Sequence, residues 1–241
     1  MVKEEIYTKQ FFEMHQCWRK HYSDMADWLW RNFRPKSVID FGCGDGFLIS
    51  DLDKRGASVT GVEGSTNAVE YIPENVKKNV EIEDITKPLS FGKYDLVISS
   101  EVAEHLPEAL ADVFLNNLVS HSKGIIFFTA AEPRQGGTDH INDQPHEYWI
   151  GKFNRRGFML LKGKAKAIQN YLERLWMHDE KSPWWFTRNS MVFEKKDVAS
   201  VRHQYALSKI GLKLRIYILR YLVLKASKKI CLPKTIRSFF R

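Results

Sequence analysis

The sequence contains few cysteines and no long apolar run, and both features narrow the class of protein. Its three cysteines, Cys17, Cys43 and Cys231, are far apart and have neither the spacing of a disulfide framework nor that of a zinc site. No stretch of about 18 apolar residues is available to span a bilayer, and residues 1–10 are too charged for a secretory signal. Repeats and low-complexity segments are also absent. We therefore expect a cytoplasmic protein with one sizeable core.

Acidic side chains are missing from the C-terminal residues 198–241, which carry eleven Lys or Arg. Removing these eleven from the total of 37 leaves 26 basic against 29 acidic residues, so the tail alone accounts for the net charge of +8. Apolar residues recur at steps of three and four from Leu207 to Leu224, and Arg220 interrupts them. This pattern predicts a cationic amphipathic helix that cannot cross a bilayer.

Two interpretations of this basic tail remain open. It either lies on an anionic membrane surface, which would make the protein peripheral at the inner face, or packs on the core or on a second subunit. The absence of acids favours a phosphate-rich partner, because a helix that covers a core usually mixes both signs on its wet face. Nucleic acid is the weaker candidate, since no RNA-binding module accompanies the charge.

Short apolar strands alternate with helical patterns between residues 36 and 197. This alternation predicts an α/β domain with a doubly wound, mainly parallel Rossmann-like sheet and helices on both faces. We place N-terminal helices in residues 1–35 and the basic helix in residues 198–241. A helix is predicted from Leu106 to Ser120. The predicted strands are Val38–Phe41, Ala57–Glu63, Val80–Ile85, Tyr94–Ser100 and Gly124–Thr129, with a last strand ending near Phe193.

A glycine-rich turn follows the first strand, with Gly42, Gly44 and Gly46 at alternate positions. A dinucleotide fingerprint would need glycine at position 47, which holds Phe47. The carboxylates around the turn, Asp40 and Asp45, would repel a pyrophosphate but attract the sulfonium and ammonium groups of S-adenosylmethionine. The turn is therefore more typical of a site for that cofactor than of a dinucleotide site.

An acidic residue followed by G-x-G-x-G resembles motif I of the class I S-adenosylmethionine-dependent methyltransferases. A carboxylate at the end of the second strand, Glu63, can accept hydrogen bonds from both ribose hydroxyls. The resemblance implies that Asp84, after the third strand, lies at the adenine edge. The predicted cofactor-binding residues are Asp40, Gly42, Gly44, Gly46, Glu63, Asp84, Ile85 and Ser100.

Candidate catalytic residues follow the fourth and fifth strands. If a helix begins after the fourth strand, Glu101, Glu104 and His105 share one of its faces. His140 lies in a loop after the fifth strand. Convergence of these four side chains would satisfy a divalent cation. The predicted catalytic residues are His140, His105 and Glu101.

Three interpretations of these residues stay open. In the first, His140 is a general base that takes the proton of an acceptor hydroxyl. In the second, Glu101, Glu104, His105 and His140 bind magnesium, manganese or zinc. The E-x-x-E-H pattern of this second interpretation resembles the small-RNA 2′-O-methyltransferases and the ubiquinone-pathway O-methyltransferases. In the third, the segment only caps and packs a helix.

A downstream segment, residues 135–144 with Tyr148, Trp149 and residues 156–158, resembles a bacterial group of class I methyltransferases associated with glycan clusters. The resemblance spans residues 38–194 and leaves the N-terminal Trp18 unexplained. Five aromatics are candidates for stacking on an acceptor sugar, although core packing is the more usual fate of large aromatics: Tyr148, Trp149, Trp176, Trp184 and Trp185. Of these, Tyr148, Trp149 and Trp185 are the predicted acceptor residues.

The sequence therefore predicts an S-adenosylmethionine-dependent O-methyltransferase that acts on a hydroxyl of a small-molecule, glycan or glycolipid-like acceptor. The alternatives are a metal-dependent RNA ribose 2′-O-methyltransferase and a non-catalytic methyltransferase fold that serves as a scaffold. An intact cofactor turn argues against the scaffold.

Overall fold

The computed structural model describes residues 5–196, and this part of the chain is built around one sheet of seven strands. The strands are β1 (Ser37–Phe41), β2 (Ser58–Glu63), β3 (Val80–Ile82), β4 (Tyr94–Ser100), β5 (Ser122–Thr129), β6 (Phe158–Leu160) and β7 (Met191–Lys195). They lie in the order β3-β2-β1-β4-β5-β7-β6. The first five strands are parallel, and β7 pairs antiparallel with both β5 and β6. The predicted mainly parallel α/β sheet is confirmed.

Eight helices of this region surround the sheet. They are α1 (Lys9–His15), α2 (Arg19–Phe33), α3 (Phe47–Asp53), α4 (Glu74–Lys77), α5 (Ala111–His121), α6 (His146–Arg155), α7 (Lys162–Trp176) and α8 (Phe186–Asn189). No helix among residues 5–196 has both the length and the apolarity needed to cross a bilayer.

The strands separate two apolar cores because successive side chains point to opposite faces of a sheet. In β4, Leu96 and Ile98 are buried on one face with α2, α3 and α7, whereas Val97 is buried on the other with α5 and α6. Both faces of the central strands are thus dry, which explains why β4 reads as a continuous apolar run.

Two predicted boundaries are wrong for local reasons. The third strand ends at Ile82 rather than Ile85, and Asp84 accepts hydrogen bonds from the backbone and hydroxyl of Thr86 in a turn. The helix predicted from Leu106 begins at Ala111. Leu106 is extended because a residue before proline avoids the helical region, and Pro107 follows it.

The N-terminal helices belong to the same compact unit as the sheet. The first of them, α1, is capped by Thr8, whose side chain accepts a hydrogen bond from the Phe11 amide. The second, α2, buries Met25 and Leu29 in the core it shares with α3 and α7. Within the predicted N-terminal region, α1 and α2 are thus helical and belong to the same unit as the sheet. The predicted basic helix of residues 198–241 lies outside the described residues.

Candidate functional site

A cavity of about 1010 Å³ opens at the carboxyl ends of the parallel strands. The strand order reverses between β1 and β4, and loops leaving such a switch point diverge and leave a crevice. Ligand sites usually measure about 300 to 1,000 Å³. The cavity is therefore at the upper end of that range.

The glycine turn forms one wall of this cavity. Gly42, Gly44 and Gly46 all take positive φ, at 78°, 54° and 69°. A Cβ on Gly42 would lie 2.5 Å from a methyl carbon of Val102, so this position requires glycine for space as well as for conformation. Gly42 and Gly44 line the cavity. Gly46 starts α3 and is not part of the lining, and its contact with a cofactor stays a prediction.

Glu63 ends β2 at the cavity and is nearly buried. Its two carboxylate oxygens accept hydrogen bonds from the backbone N–H groups of Gly44 and Ser65, each at 2.8 Å. The same side chain therefore holds the glycine turn in place at the edge of the cavity.

Two buried aspartates beside the turn have raised carboxyl pKa values. Burial raises the pKa of Asp40 to about 7, and the charge of Glu63 adds to the shift. Burial likewise raises the pKa of Asp45 to about 7. Oδ1 of Asp40 and Oδ2 of Asp45 are buried and make no hydrogen bond with the described residues. Buried carboxylate oxygens without donors create a strong preference for a cationic ligand.

The remaining predicted cofactor residues lie after β3 and at the end of β4, on either side of β1 and its glycine turn. Asp84, Ile85 and Ser100 all contribute to its lining. The hydroxyls of Ser100 and Thr129 lie 3.3 Å apart and join the ends of β4 and β5.

Glu101 does not begin a helix, and the predicted shared helical face is therefore wrong. Its φ is +53°, a left-handed conformation that turns the chain before a short 3₁₀ turn over Ala103–His105. The Glu101 carboxylate accepts hydrogen bonds from Asn189 at 3.1 and 3.2 Å, and from Gln135 at 3.4 Å. Long-range contacts thus fix a backbone conformation that a non-glycine residue adopts rarely.

Glu104 is completely buried. One of its oxygens, Oε1, accepts a hydrogen bond from the Ala131 amide at 3.2 Å, whereas Oε2 has no hydrogen-bond partner among the described residues. Burial raises the pKa of this carboxyl well above its usual value, and the neighbouring Glu101 charge raises it further. A carboxyl in this state is either protonated or paired with a cation.

His105 and His140 meet in edge-to-face contact, with ring centroids 4.9 Å apart. Burial lowers the pKa of His105 to about 4, and the charge of His140 contributes, so His105 is neutral at pH 7. Its Nδ1 lies 3.3 Å from the Asp139 carbonyl oxygen. Nδ1 of His140 lies 2.9 Å from Oδ1 of Asp143, although the angle does not meet hydrogen-bond geometry.

Gly137 packs directly against the His140 ring. A Cβ on this glycine would overlap Nε2 and Cε1 of the imidazole. The loop after β5 therefore accommodates the histidine only with glycine at this position, and the ring has a defined location in the cavity.

Three of the four predicted metal ligands come together. Candidate ligand atoms of Glu104, His105 and His140 all lie within 4.8 Å of one another. Glu101 is not part of this group, so the predicted four-residue set is too large. One carboxylate oxygen and two imidazole nitrogens suit a divalent transition metal.

The predicted acceptor aromatics separate into two groups. Trp185 lines the cavity, and its stacking on an acceptor sugar stays a prediction. Trp149 is fully buried in the core against Phe128, so its predicted role in sugar stacking is wrong. Tyr148 packs beside Trp149 and below the Lys152 ammonium, and it is not part of the cavity lining.

An N-terminal contribution to the cavity was not predicted. Residues from α1 and its flanks line it, among them Tyr7, Phe11, His15 and Trp18. The Tyr7 carbonyl accepts a hydrogen bond from the Asn67 side chain at 2.9 Å, which ties this segment to the loop after Glu63. The density of aromatics in residues 7–18 was the available signal.

Comparison with protein families places this geometry among known proteins. Residues 13–191 match the model of a family described as a methyltransferase domain. The ribosomal protein L11 methyltransferase of Thermosipho melanesiensis is 45% identical over 82 residues, which are 32% of this chain and 31% of that protein. A ubiquinone biosynthesis O-methyltransferase of Acinetobacter baumannii is 28% identical over 122 residues, 47% of each chain. The chain thus spans less than half the length of these curated relatives.

Solved structures agree on the fold. The magnesium protoporphyrin IX methyltransferase of Synechocystis, crystallised with S-adenosylhomocysteine, has a TM-score of 0.54 at 18% identity and covers 74% of this chain and 83% of its own. The S-adenosylmethionine-bound amino pentose methyltransferase of Micromonospora echinaspora has a TM-score of 0.56 at 13% identity, covering 74% and 92%.

Proposed function

Because the chain belongs to the methyltransferase domain family, we propose that it is an S-adenosylmethionine-dependent O-methyltransferase acting on a hydroxyl of a glycan or glycolipid-like acceptor. One observation carries this proposal. The glycine turn, with its buried carboxylates, and the His105–His140 pair line the same cavity. A cationic methyl donor and a proton acceptor can therefore occupy adjacent positions.

In this proposal the cofactor ribose binds Glu63, and its amino-acid end lies near Gly42, Gly44 and Asp40. The buried oxygens of Asp40 and Asp45 support this orientation, because they favour the ammonium and sulfonium charges. The adenine then lies toward Asp84 and Ile85. Family relatives crystallised with S-adenosylmethionine or its product share the fold.

The chemistry is an in-line displacement. The acceptor oxygen attacks the methyl carbon, the carbon–sulfur bond breaks, and its electron pair stays on sulfur as the neutral thioether. The acceptor proton passes to His140. The accepting atom is an imidazole nitrogen, and Asp143, 2.9 Å from Nδ1, would stabilise the imidazolium that forms. Alignment of oxygen, carbon and sulfur in the cavity supplies much of the rate.

A metal-assisted form of this reaction is the second candidate, and the grouping of Glu104, His105 and His140 favours it. These three residues would hold the ion. A bound divalent metal would lower the pKa of an acceptor hydroxyl. Activity lost in EDTA and restored by magnesium, manganese or zinc would select this form, and activity that withstands EDTA would select the histidine base alone.

Cofactor binding is expected to release protons near neutral pH. The free protein holds Asp40 and Asp45 partly protonated, since burial raises the pKa of each from 3.8 to about 7. Because burial raises the pKa of both carboxyls, their ionisation destabilises the folded state. The contribution of these two groups to the stability of the free protein therefore falls as the pH rises from 3.8 through 7. A bound cation stabilises the carboxylates instead. Affinity for S-adenosylmethionine should therefore rise between about pH 5.5 and about pH 8.

Calorimetry in two buffers with different ionisation enthalpies would count the released protons. Asp40→Asn should reduce that number, whereas a change at the exposed Glu81 of β3 should leave it unchanged. Affinity that falls as pH rises would contradict the proposed position of the cationic groups.

The proposed reaction is tested by transfer of a tritiated methyl group from S-adenosylmethionine into separated cell fractions. We expect base-stable label in polysaccharide or glycolipid, as an ether requires. Label confined to RNA would support the ribose 2′-O-methyltransferase instead. Tight cofactor binding without transfer to lipid, polysaccharide or RNA would contradict the enzymatic proposal and favour the scaffold.

A further inference from the structure

Eight of the rings that line the cavity form an unbroken row, which we call the aromatic rail. Its inner half starts at the two histidines. His140 and His105 have ring centroids 4.9 Å apart, and Tyr7 follows at 6.0 Å from His105. Phe11 lies 5.2 Å beyond Tyr7. This half of the rail thus runs from the proposed reacting groups onto α1.

The outer half continues from Phe11 to an exposed tryptophan. His15 lies 4.2 Å from Phe11, and Trp18 follows at 4.9 Å. Trp185 meets Trp18 at 5.2 Å, and Trp184 lies 6.1 Å farther on. Trp184 is 46% exposed, although large apolar side chains are usually covered. Neighbouring rings of the rail lie close enough together for one extended ligand to contact several of them in succession.

Contacts from other elements hold the outer rings in place. Nε1 of Trp18 donates a hydrogen bond to the Lys181 carbonyl at 2.8 Å, across 163 residues of sequence. The Arg188 guanidinium stacks 5.1 Å from the centre of the Trp184 ring. Rings that are already fixed lose little conformational freedom when a ligand binds. The rail is therefore a preformed surface.

The chemistry of the rail selects the kind of ligand. Seven of its eight rings carry a nitrogen or a hydroxyl, Phe11 being the exception. Such rings suit a ligand with an apolar face and polar edges, because each combines an apolar ring with a polar atom at its edge. Linked sugars have this character: C–H groups cover their faces and hydroxyls their edges. An alkyl chain forms no hydrogen bonds with the polar atoms of these rings.

We propose that the aromatic rail binds an oligosaccharide end-on, with the terminal sugar at His105 and His140 and the sugars behind it stacked on Trp18, Trp185 and Trp184. This inference rests on the proposed function and adds that the acceptor is a chain of several sugars. Trp18 and Trp184 are then specificity-determining residues outside the reacting centre.

The test uses the full chain loaded with S-adenosylhomocysteine and applied to an array of glycans of increasing length, followed by calorimetry with the best-bound chain and its terminal sugar alone. Affinity should increase with chain length until the rail is filled. Trp184→Ala should weaken binding of the long glycan about 3- to 10-fold and leave the single sugar unaffected. Trp18→Ala should also weaken it, and Trp18→Phe, which keeps a ring, should weaken it less.

Met177→Ala is the matched control, because Met177 is 66% exposed but is not part of the cavity lining. All variants should bind S-adenosylhomocysteine as the wild type does. Three results would overturn the proposal. They are an affinity that does not change with glycan chain length, unchanged glycan binding in both Trp→Ala variants, and tighter binding of a long-chain alkyl phenol than of glycans. Normal cofactor binding with no bound glycan would also overturn it, together with the proposed glycan acceptor, and would leave only the proposal that the protein is a methyltransferase. Loss of cofactor binding in the wild type would instead reject both.

Discussion

Replacing His140 with alanine is expected to lower turnover by about 100-fold or more while leaving affinity for S-adenosylmethionine unchanged. The reason is positional. The imidazole lines the cavity between His105 and the Asp143 carboxylate, and it is not among the residues proposed to bind the cofactor. His105 cannot replace it as a base, because burial lowers the pKa of His105 to about 4. Single-turnover rates and calorimetry on the same samples separate the two effects.

Two further variants make this prediction sharper. His146→Ala removes a histidine that is not part of the cavity lining and should retain activity. Gly137→Ala keeps His140 but places a Cβ where the ring lies, so it should also lose turnover. Full activity in His140→Ala would reject both the general-base and the metal-ligand role of this residue.

Replacing Glu63 with alanine should cost about 1.5 to 3 kcal/mol of cofactor affinity, or roughly 10- to 150-fold in dissociation constant. Two ribose hydroxyls would lose their charged acceptor. The backbone N–H groups of Gly44 and Ser65 would lose theirs as well, which loosens the glycine turn. Glu63→Gln retains one acceptor oxygen and should give an intermediate loss.

Glu81→Ala provides the control, since Glu81 is an exposed glutamate on the neighbouring strand β3. Thermal unfolding without cofactor would report how much of the loss comes from the turn itself. Calorimetry showing the same affinity in Glu63→Ala and in the wild type would exclude Glu63 as the ribose ligand.

The strands of the sheet could be predicted because the patterns that mark them, apolar runs and glycine turns, come from residues that are close together in the sequence. β4 matches its predicted bounds of Tyr94–Ser100, since a central strand buried on both faces is apolar throughout. The three glycines likewise predicted a turn that needs positive φ. The burial of Trp149 was also predictable, because Phe153 lies four residues later on the same face of α6.

Other parts of the site depend on contacts between distant residues. Glu101 takes a left-handed turn that its own sequence does not favour, and Asn189, 88 residues later, holds its carboxylate. Trp18 reaches the cavity because α1 and its flanks fold back over the strand ends, a placement fixed in part by its hydrogen bond to Lys181. Neither contact leaves a periodic signal in a single sequence.

A crystal structure with S-adenosylhomocysteine tests the central claim most directly. We expect one product molecule in the cavity, with its ribose hydroxyls on Glu63, its amino-acid end at Gly42 and Gly44, and its sulfur directed toward His140 and the inner end of the aromatic rail. A cavity that stays empty at saturating ligand, or a product whose sulfur points away from His140, would contradict the proposed methyl transfer.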